Sequence, residues 1–163
     1  MSNEADLPPS ARRVQAALEA AGHDGRVTTF DQSTRTSAAA AEAIGCQVAE
    51  IAKSLIFRAK QSDRAVLVIA SGDKRVDEKK LKALLGEKVG RADADFVREK
   101  TGYAIGGVPP LGHSTPPVAF LDETLWRFER IWAAAGTPNA VFPLSPDDLP
   151  ALTGGQRADI AQD

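Results

Sequence analysis

Two features of the chain carry groups that could do chemistry: Lys53, and the stretch TGYAIGGVPPLGH at 101–113. Lys53 stands at the head of the apolar run SLIFRA, where a flexible ammonium could meet a phosphate. The stretch 101–113 holds four glycines and two adjacent prolines, but no carboxylate, thiol or lysine. The N–H groups of Gly106, Gly107 and Val108 could stabilise an oxyanion, because glycine lets a substrate approach the main chain. A surface lysine and an ordinary turn are the alternative interpretations.

The sequence lacks the residue patterns of other common catalytic sites. The two histidines and the single cysteine are scattered at positions 23, 113 and 46, which argues against a zinc site. The sequence contains no Gly-x-Ser-x-Gly motif, no Walker pattern and no dinucleotide fingerprint. Cys46 is interpreted as a small, partly buried residue, and the pairs 122–123 and 147–148 as helix N-terminal carboxylates. The sequence therefore predicts no metal and no cofactor.

The charge of the chain is unevenly distributed. Its net charge is −2, yet residues 51–100 carry 13 Lys and Arg against 8 Asp and Glu. A local basic surface suits a polyanionic partner, and a solvated helix and strand surface is the alternative. The apolar runs are far shorter than the ~18 residues of a membrane span, and the N-terminus resembles no signal peptide. With one cysteine in the chain, we expect a cytoplasmic protein without a membrane partner.

The elements that must position these residues follow from periodicity and capping signals. Hairpins rather than regular strand–helix alternation predict an α+β fold with a mixed or mostly antiparallel sheet. A single domain is expected over 1–163, with flexible tails at 1–8 and 156–163. The predicted helices span 10–22, 33–45, 77–86, 93–102 and part of 145–154, and the predicted strands span 26–31, 53–60, 65–71, 117–122, 130–136 and 139–144.

Some local details are predicted as well. Ser10 is expected to cap the first helix, a Ser or Thr the second, and Asp77 the third. Leu81, Leu84 and Leu85 are expected to face the core.

Five motifs in register carry a resemblance to a known family. They are EIAKSLIF, GDKRVDEKKL, TGYAIGGVPPLGH, FLDETL and IWAAAGTPNAVFPLSPDDL. Together they resemble the YbaK/ProX family, the freestanding relatives of the editing domain inserted in bacterial prolyl-tRNA synthetases. The resemblance covers about residues 10–155. It implies a mixed, mostly antiparallel, curved sheet that is partly barrel-like and surrounded by helices.

The resemblance also implies an activity and a set of site residues. Members are aminoacyl-tRNA deacylases, which hydrolyse the ester of a mischarged tRNA. Lys53 matches the family's lysine, which contacts the terminal nucleotide, and Gly106 to Pro110 match its Gly-x-x-x-Pro loop. The expected catalytic residues are Lys53, Gly106 and Pro110. The expected substrate-binding residues, which include an aromatic that matches Phe30, are Phe30, Ser54, Ile105, Gly107, Val108 and Gly112.

The substrate implied is a tRNA carrying a small amino acid, with tRNA-Pro charged with Ala or Cys expected first. A second, smaller pocket is needed because a synthetase rejects a smaller isostere by only about 1–3 kcal/mol per methylene. The attacking water is expected to be assisted by the substrate's 2′-hydroxyl. The implied partners are the tRNA acceptor end and a prolyl-tRNA synthetase. A departure from some family branches is the absence of a histidine from GTPNA at 136–140, and His113 is not assigned that role.

Two other functions remain open at this point. One is a non-catalytic module on the same fold that binds the tRNA acceptor end or a synthetase. The other is hydrolysis of a small free ester or thioester, for which tRNA would be irrelevant.

Overall fold

The computed structural model describes residues 7–34 and 36–162. Most of the tail predicted at 1–8 lies outside the described residues, but Leu7 is buried in the core. The helices are α1 (Pro9–Ala20), α2 (Ser37–Ile44), α3 (Glu78–Leu85), α4 (Ala94–Thr101) and α5 (Leu149–Thr153). The strands are β1 (Thr28–Thr29), β2 (Ile51–Ala59), β3 (Ala65–Ser71), β4 (Val89–Arg91), β5 (Val118–Asp122), β6 (Ile131–Ala134), β7 (Ala140–Leu144) and β8 (Gln156–Ala158).

Local side-chain chemistry fixes most helix ends. The Thr36 side chain accepts from the Ala39 N–H and caps α2, and the Asp77 carboxylate caps α3, as predicted. The prediction for Ser10 is wrong, because α1 begins at Pro9 and Pro8 occupies the N-cap position. A proline is pre-organised for the first helical turn, where its missing N–H costs nothing.

The strands form one mixed sheet, as the sequence predicts. Its order is β1-β7-β6-β2-β3-β5-β8, and β4 pairs separately with β2. Antiparallel pairs join β1 to β7, β7 to β6, β2 to β3 and β2 to β4. Parallel pairs join β6 to β2, β3 to β5 and β5 to β8. The two hairpins of the sequence prediction are therefore the β2–β3 and β6–β7 pairs.

The C-terminal residues are more ordered than expected. Residues 156–163 are predicted as a flexible tail, whereas Gln156–Ala158 forms β8 and pairs with β5. Ile160 then packs into the core with 1% exposure, and Ala161 forms a bridge with Val76. The buried side chains of Ile160 and Ala161 and the pairing with the edge of β5 hold this segment, although its polar sequence carries no strand pattern.

The sheet separates two layers of packing. One face meets α1 and the 103–111 loop in a large core that includes Leu67, Ile69 and Phe142. The other face packs against α3, whose Leu81 is fully buried. The inward prediction for Leu84 is wrong, since its side chain is 41% exposed. No helix among the described residues is both long and apolar enough to cross a membrane.

Candidate active site

A small cleft opens where β2 and β6 part. These two strands pair only through Ile51–Trp132 and Ala52–Ala133, and the loop between α4 and β5 crosses at this point. The cleft has a volume of about 70 Å³, far below the ~300–1,000 Å³ of sites for drug-sized ligands. Its lining residues are Thr34, Thr36, Ser37, Ala40, Ile51, Ala52, Lys53, Ser54, Gly106, Val108, Trp132, Ala133, Ala134 and Val141.

Lys53 is held at this cleft by its own hydrogen bond. Its Nζ donates to the carbonyl oxygen of Lys74 at 2.5 Å, in the segment that follows β3. Burial, followed by the charge of Arg75, lowers the pKa of Lys53 below its ordinary value of 10.5. Asp122 and Asp73 act in the opposite direction and raise that pKa. A partly desolvated ammonium beside a cleft forms a stronger interaction with a phosphate than a solvated one does.

A buried polar network supports the segment that holds Lys53. Asp122 is fully buried, and its carboxylate accepts from the main-chain N–H groups of Ser71 at 3.0 Å and Thr124 at 2.9 Å. The Ser71 hydroxyl accepts from Arg127 Nη2 at 2.9 Å, and the same nitrogen donates to Asp73 Oδ1 at 3.1 Å. Asp122 does cap a helical turn, as predicted, but it also fixes the end of β3.

The glycine loop contributes main-chain groups to the cleft. Gly106 has a φ of +94°, a conformation that favours glycine, and it lines the cleft together with Val108. The expectation of a free Gly107 N–H is wrong, because this group donates to the Ala104 carbonyl at 3.0 Å. The Gly107 carbonyl in turn accepts from Gly136 N at 2.8 Å. Gly107 therefore anchors the loop, and no hydrogen bond to a described residue occupies the N–H of Gly106 or Val108.

The close approach at Gly107 explains why a glycine stands there. A Cβ at this position would lie 2.8 Å from the Thr137 Cα and 2.9 Å from the Gly136 carbonyl carbon. Those are main-chain atoms of the β6–β7 turn, which cannot move aside without disturbing the hairpin. The loop and the hairpin thus hold each other in place on one side of the cleft.

His113 stabilises the same loop through a hydrogen bond to its main chain. Its Nε2 donates to the Pro109 carbonyl at 2.6 Å, which leaves Nδ1 as the unprotonated nitrogen. Burial lowers the pKa of His113 below 6.5, although the bond to Pro109 opposes this shift. The ring does not line the cleft. The geometry therefore gives His113 a loop-stabilising position.

The structure brings together some of the predicted site residues and not others. Lys53, Ser54, Gly106 and Val108 meet at the cleft. The remaining predicted residues do not line it. Pro110 is buried and Ile105 is 52% exposed, while Gly112 is exposed and the main chain of Phe30 pairs with Asn139.

Sequence reasoning missed several residues of the cleft. Trp132 supplies its largest side chain, and Thr34, Thr36 and Ser37 bring hydroxyl groups. None of the lining residues is His, Cys, Asp or Glu, so no imidazole, thiolate or carboxylate base lies among the described residues around these hydroxyls. Within the described residues, no three side chains of those four types are grouped so as to hold a metal ion.

Residues 31–152 match the aminoacyl-tRNA editing domain family. The chain belongs to this family. YwhH of Bacillus subtilis, an uncharacterised protein, is 36% identical over 140 residues, which cover 86% of this chain and 88% of YwhH. A protein of Enterococcus faecalis named "Putative Cys-tRNA(Pro)/Cys-tRNA(Cys) deacylase EbsC" is 31% identical over 121 residues, covering 74% of this chain and 73% of EbsC.

Solved structures agree with this assignment. A crystal structure described as "a putative trans-editing enzyme for prolyl tRNA synthetase" is 47% identical with a TM-score of 0.90, covering 96% of this chain and 99% of the other. The aminoacyl-tRNA editing family and its fold are therefore confirmed as the sequence predicts. The predicted aminoacyl-tRNA deacylase is confirmed at the level of the family, whose domain acts on aminoacyl-tRNA.

Proposed function

We propose that this protein hydrolyses the ester of tRNA mischarged with a small amino acid, and that tRNA-Pro carrying alanine or cysteine is its principal substrate. The observation that supports this proposal best is the cleft of about 70 Å³, whose described lining combines a lysine and glycine-loop amides and includes no carboxylate, thiol or imidazole. In this proposal, the size of the cleft favours a small side chain over a large one. The names of the relatives support tRNA-Pro and a prolyl-tRNA synthetase as the substrate tRNA and partner.

The proposed reaction needs no metal and no side-chain nucleophile. A water oxygen bonds to the ester carbon, the carbon–oxygen bond to the ribose breaks, and a proton released by this water passes to the ribose oxygen. The neighbouring 2′-hydroxyl of the substrate assists this water, since no carboxylate or imidazole lines the cleft. The products are the free amino acid and the uncharged tRNA.

The protein's contribution is then position and charge. The N–H groups of Gly106 and Val108 stabilise the oxyanion, and one such donor is typically worth about 10²–10³ in rate. Lys53 contacts the phosphate or ribose of the terminal nucleotide. The exposed Arg75 lies close enough to influence the Lys53 ammonium and extends the basic surface toward the acceptor end.

The test is a panel of tRNAs charged with alanine, cysteine and serine, incubated with purified protein in the presence of a chelator. Hydrolysis of at least one ester above its spontaneous rate is expected. Binding of the charged tRNA without hydrolysis would favour the non-catalytic module. Efficient hydrolysis of a small free ester with no dependence on salt would contradict a tRNA substrate, because phosphate contacts make binding salt-dependent.

A further inference from the structure

The middle of strand β2 has one edge without a strand partner. β2 pairs with β3 along one edge from Ala52 to Arg58. On its other edge it pairs with β6 only through its first two residues and with β4 only through its last three. In the part of the chain that the structure describes, residues 53–56 therefore have no strand on this second edge. The cleft lies beside this gap.

Alternation along β2 decides which main-chain groups face the gap. The Ile51 carbonyl accepts from Gly72 N at 2.8 Å, and the Ala59 N–H donates to the Arg64 carbonyl at 2.9 Å. Both bonds lie on the β3 side, and the β2–β3 register between them is continuous. Since main-chain groups alternate between the two edges of a strand, odd-numbered residues face β3. Ser54 therefore turns its N–H and its carbonyl into the gap.

The side chain of Ser54 adds a second, independent observation. Its Oγ is buried and has no hydrogen-bond partner among the described residues, although Ser54 lines the cleft. A buried hydroxyl left without a partner costs free energy, and an unpaired strand edge is a ready template for another chain. Three hydrogen-bonding groups of one residue thus lie unpaired beside the cleft that contains Gly106 and Val108.

We propose that the aminoacyl group of the substrate pairs with Ser54 as one residue of an antiparallel strand would. This inference rests on the proposed function and names the part of the substrate that Ser54 holds. In a hydrogen-bonded antiparallel pair, two opposite residues exchange both N–H···O bonds. An aminoacyl ester has the same order of nitrogen, α-carbon and carbonyl as a residue. Its α-ammonium donates to the Ser54 carbonyl, and its ester carbonyl accepts from the Ser54 N–H.

Two consequences follow for the reaction. The Ser54 N–H becomes a further oxyanion donor beside those of Gly106 and Val108, because it bonds the carbonyl that is attacked. The substrate must also carry a free α-ammonium, since a blocked or missing amine cannot make the charge-assisted bond to the Ser54 carbonyl.

The test compares three esters of one tRNA in single-turnover assays: alanyl, N-acetylalanyl and lactyl, the last with a hydroxyl in place of the amine. Each rate is divided by the spontaneous hydrolysis rate of the same ester. Both altered esters keep only a neutral donor, so each is expected to react about 3- to 30-fold more slowly than the alanyl ester, because a charge-assisted hydrogen bond is roughly twice as strong as a neutral one. If the N-acetylalanyl ester reacts slowly but the lactyl ester reacts as fast as the alanyl ester, the acetyl group is only sterically excluded and the inference is overturned. Equal rates for all three esters overturn it as well. Hydrolysis of no charged tRNA refutes the proposed function as well.

Variants at Ser54 separate its main chain from its side chain. Ser54→Ala removes the hydroxyl and keeps both main-chain groups, so the preference for the alanyl over the lactyl ester should persist within about threefold. If this preference disappeared, the substrate's α-ammonium would bind the Ser54 hydroxyl rather than the Ser54 carbonyl, and the strand-like pairing would be overturned. A second variant has the α-hydroxy analogue of alanine at position 54, which replaces the N–H by oxygen. It should deacylate alanyl-tRNA at least tenfold more slowly than Ser54→Ala, and an unchanged rate would contradict the N–H contact.

Discussion

Replacing Lys53 by methionine tests the role of its ammonium. Methionine keeps an unbranched apolar stem and removes the charge, so packing along β2 is nearly preserved. A charge-assisted hydrogen bond is worth about 1.5–3 kcal/mol, so the substitution should lower kcat/KM for alanyl-tRNA about 10- to 100-fold. Lys53→Met also loses the 2.5 Å charge-assisted bond to the Lys74 carbonyl, worth about 1.5–3 kcal/mol, and relief of the partly buried charge offsets most of this loss.

The thermal midpoint of Lys53→Met should therefore change by less than about 4 °C in a chain of this size. The assay is single-turnover deacylation at pH 7 over a range of salt concentrations. If Lys53 contacts one phosphate of the single-stranded end, the slope of log kcat/KM against log salt should become shallower by about 0.7.

Lys82→Met is the matched control for this prediction. Lys82 is exposed on α3, carries the same charge and does not line the cleft. Its variant should stay within about twofold of the wild type, as expected for an exposed charge away from the site. Equal activity of Lys53→Met and the wild type would refute the phosphate-anchoring role. A fall in the midpoint large enough to unfold Lys53→Met would instead identify a structural lysine.

Three further predictions concern stability, pH and size selection. Asp122→Ala leaves the buried N–H of Ser71 and the partly buried N–H of Thr124 unpaired and should lower the free energy of unfolding by about 2–4 kcal/mol in urea titrations. Glu123→Ala, at the exposed neighbouring position, should change it little. Because burial lowers the pKa of His113, the unfolded chain binds a proton at this residue more readily than the folded chain does, so the stability of the fold should decrease as the pH drops below 6.5. In His113→Gln, the thermal midpoint should depend less on pH in this range. An unchanged pH dependence would contradict a buried, neutral His113. Trp132→Ala should enlarge the cleft and raise the ratio of valyl- to alanyl-tRNA hydrolysis at least tenfold; an unchanged ratio would show that the indole does not limit substrate size.

Local signals predict the helices and hairpins of this fold well, because they act within a few residues. Thr36 and Asp77 cap their helices through bonds to N–H groups two or three residues away. The strands β4 and β8 escape prediction, since Val-Gly-Arg and Gln-Arg-Ala show no apolar alternation and exist only where a neighbour offers an edge. The predicted burial of Leu84 is wrong for a related reason, because helical periodicity does not determine how wide the buried face of a helix is.

The candidate site is predictable only in part. Lys53 and the glycine loop are identified from sequence because both belong to continuous motifs. Trp132 lines the cleft because β6 pairs with β2, and no local sequence pattern predicts this pairing. The N–H of Gly107 could not be distinguished from that of Gly106, since the bond that occupies it depends on the fold of the loop itself.

The parting of β2 and β6 has a consequence for when the enzyme becomes active during folding. The pair Ile51–Trp132 joins positions 81 apart in the chain, whereas the β2–β3 hairpin closes within a few residues. Local pairings generally form before distant ones, because closing a long loop costs more entropy. We expect the hairpin to form early and the cleft to appear only after β6 has docked. In a refolding experiment, deacylase activity should therefore return after most of the secondary structure, which makes activity a marker of the β2–β6 pairing.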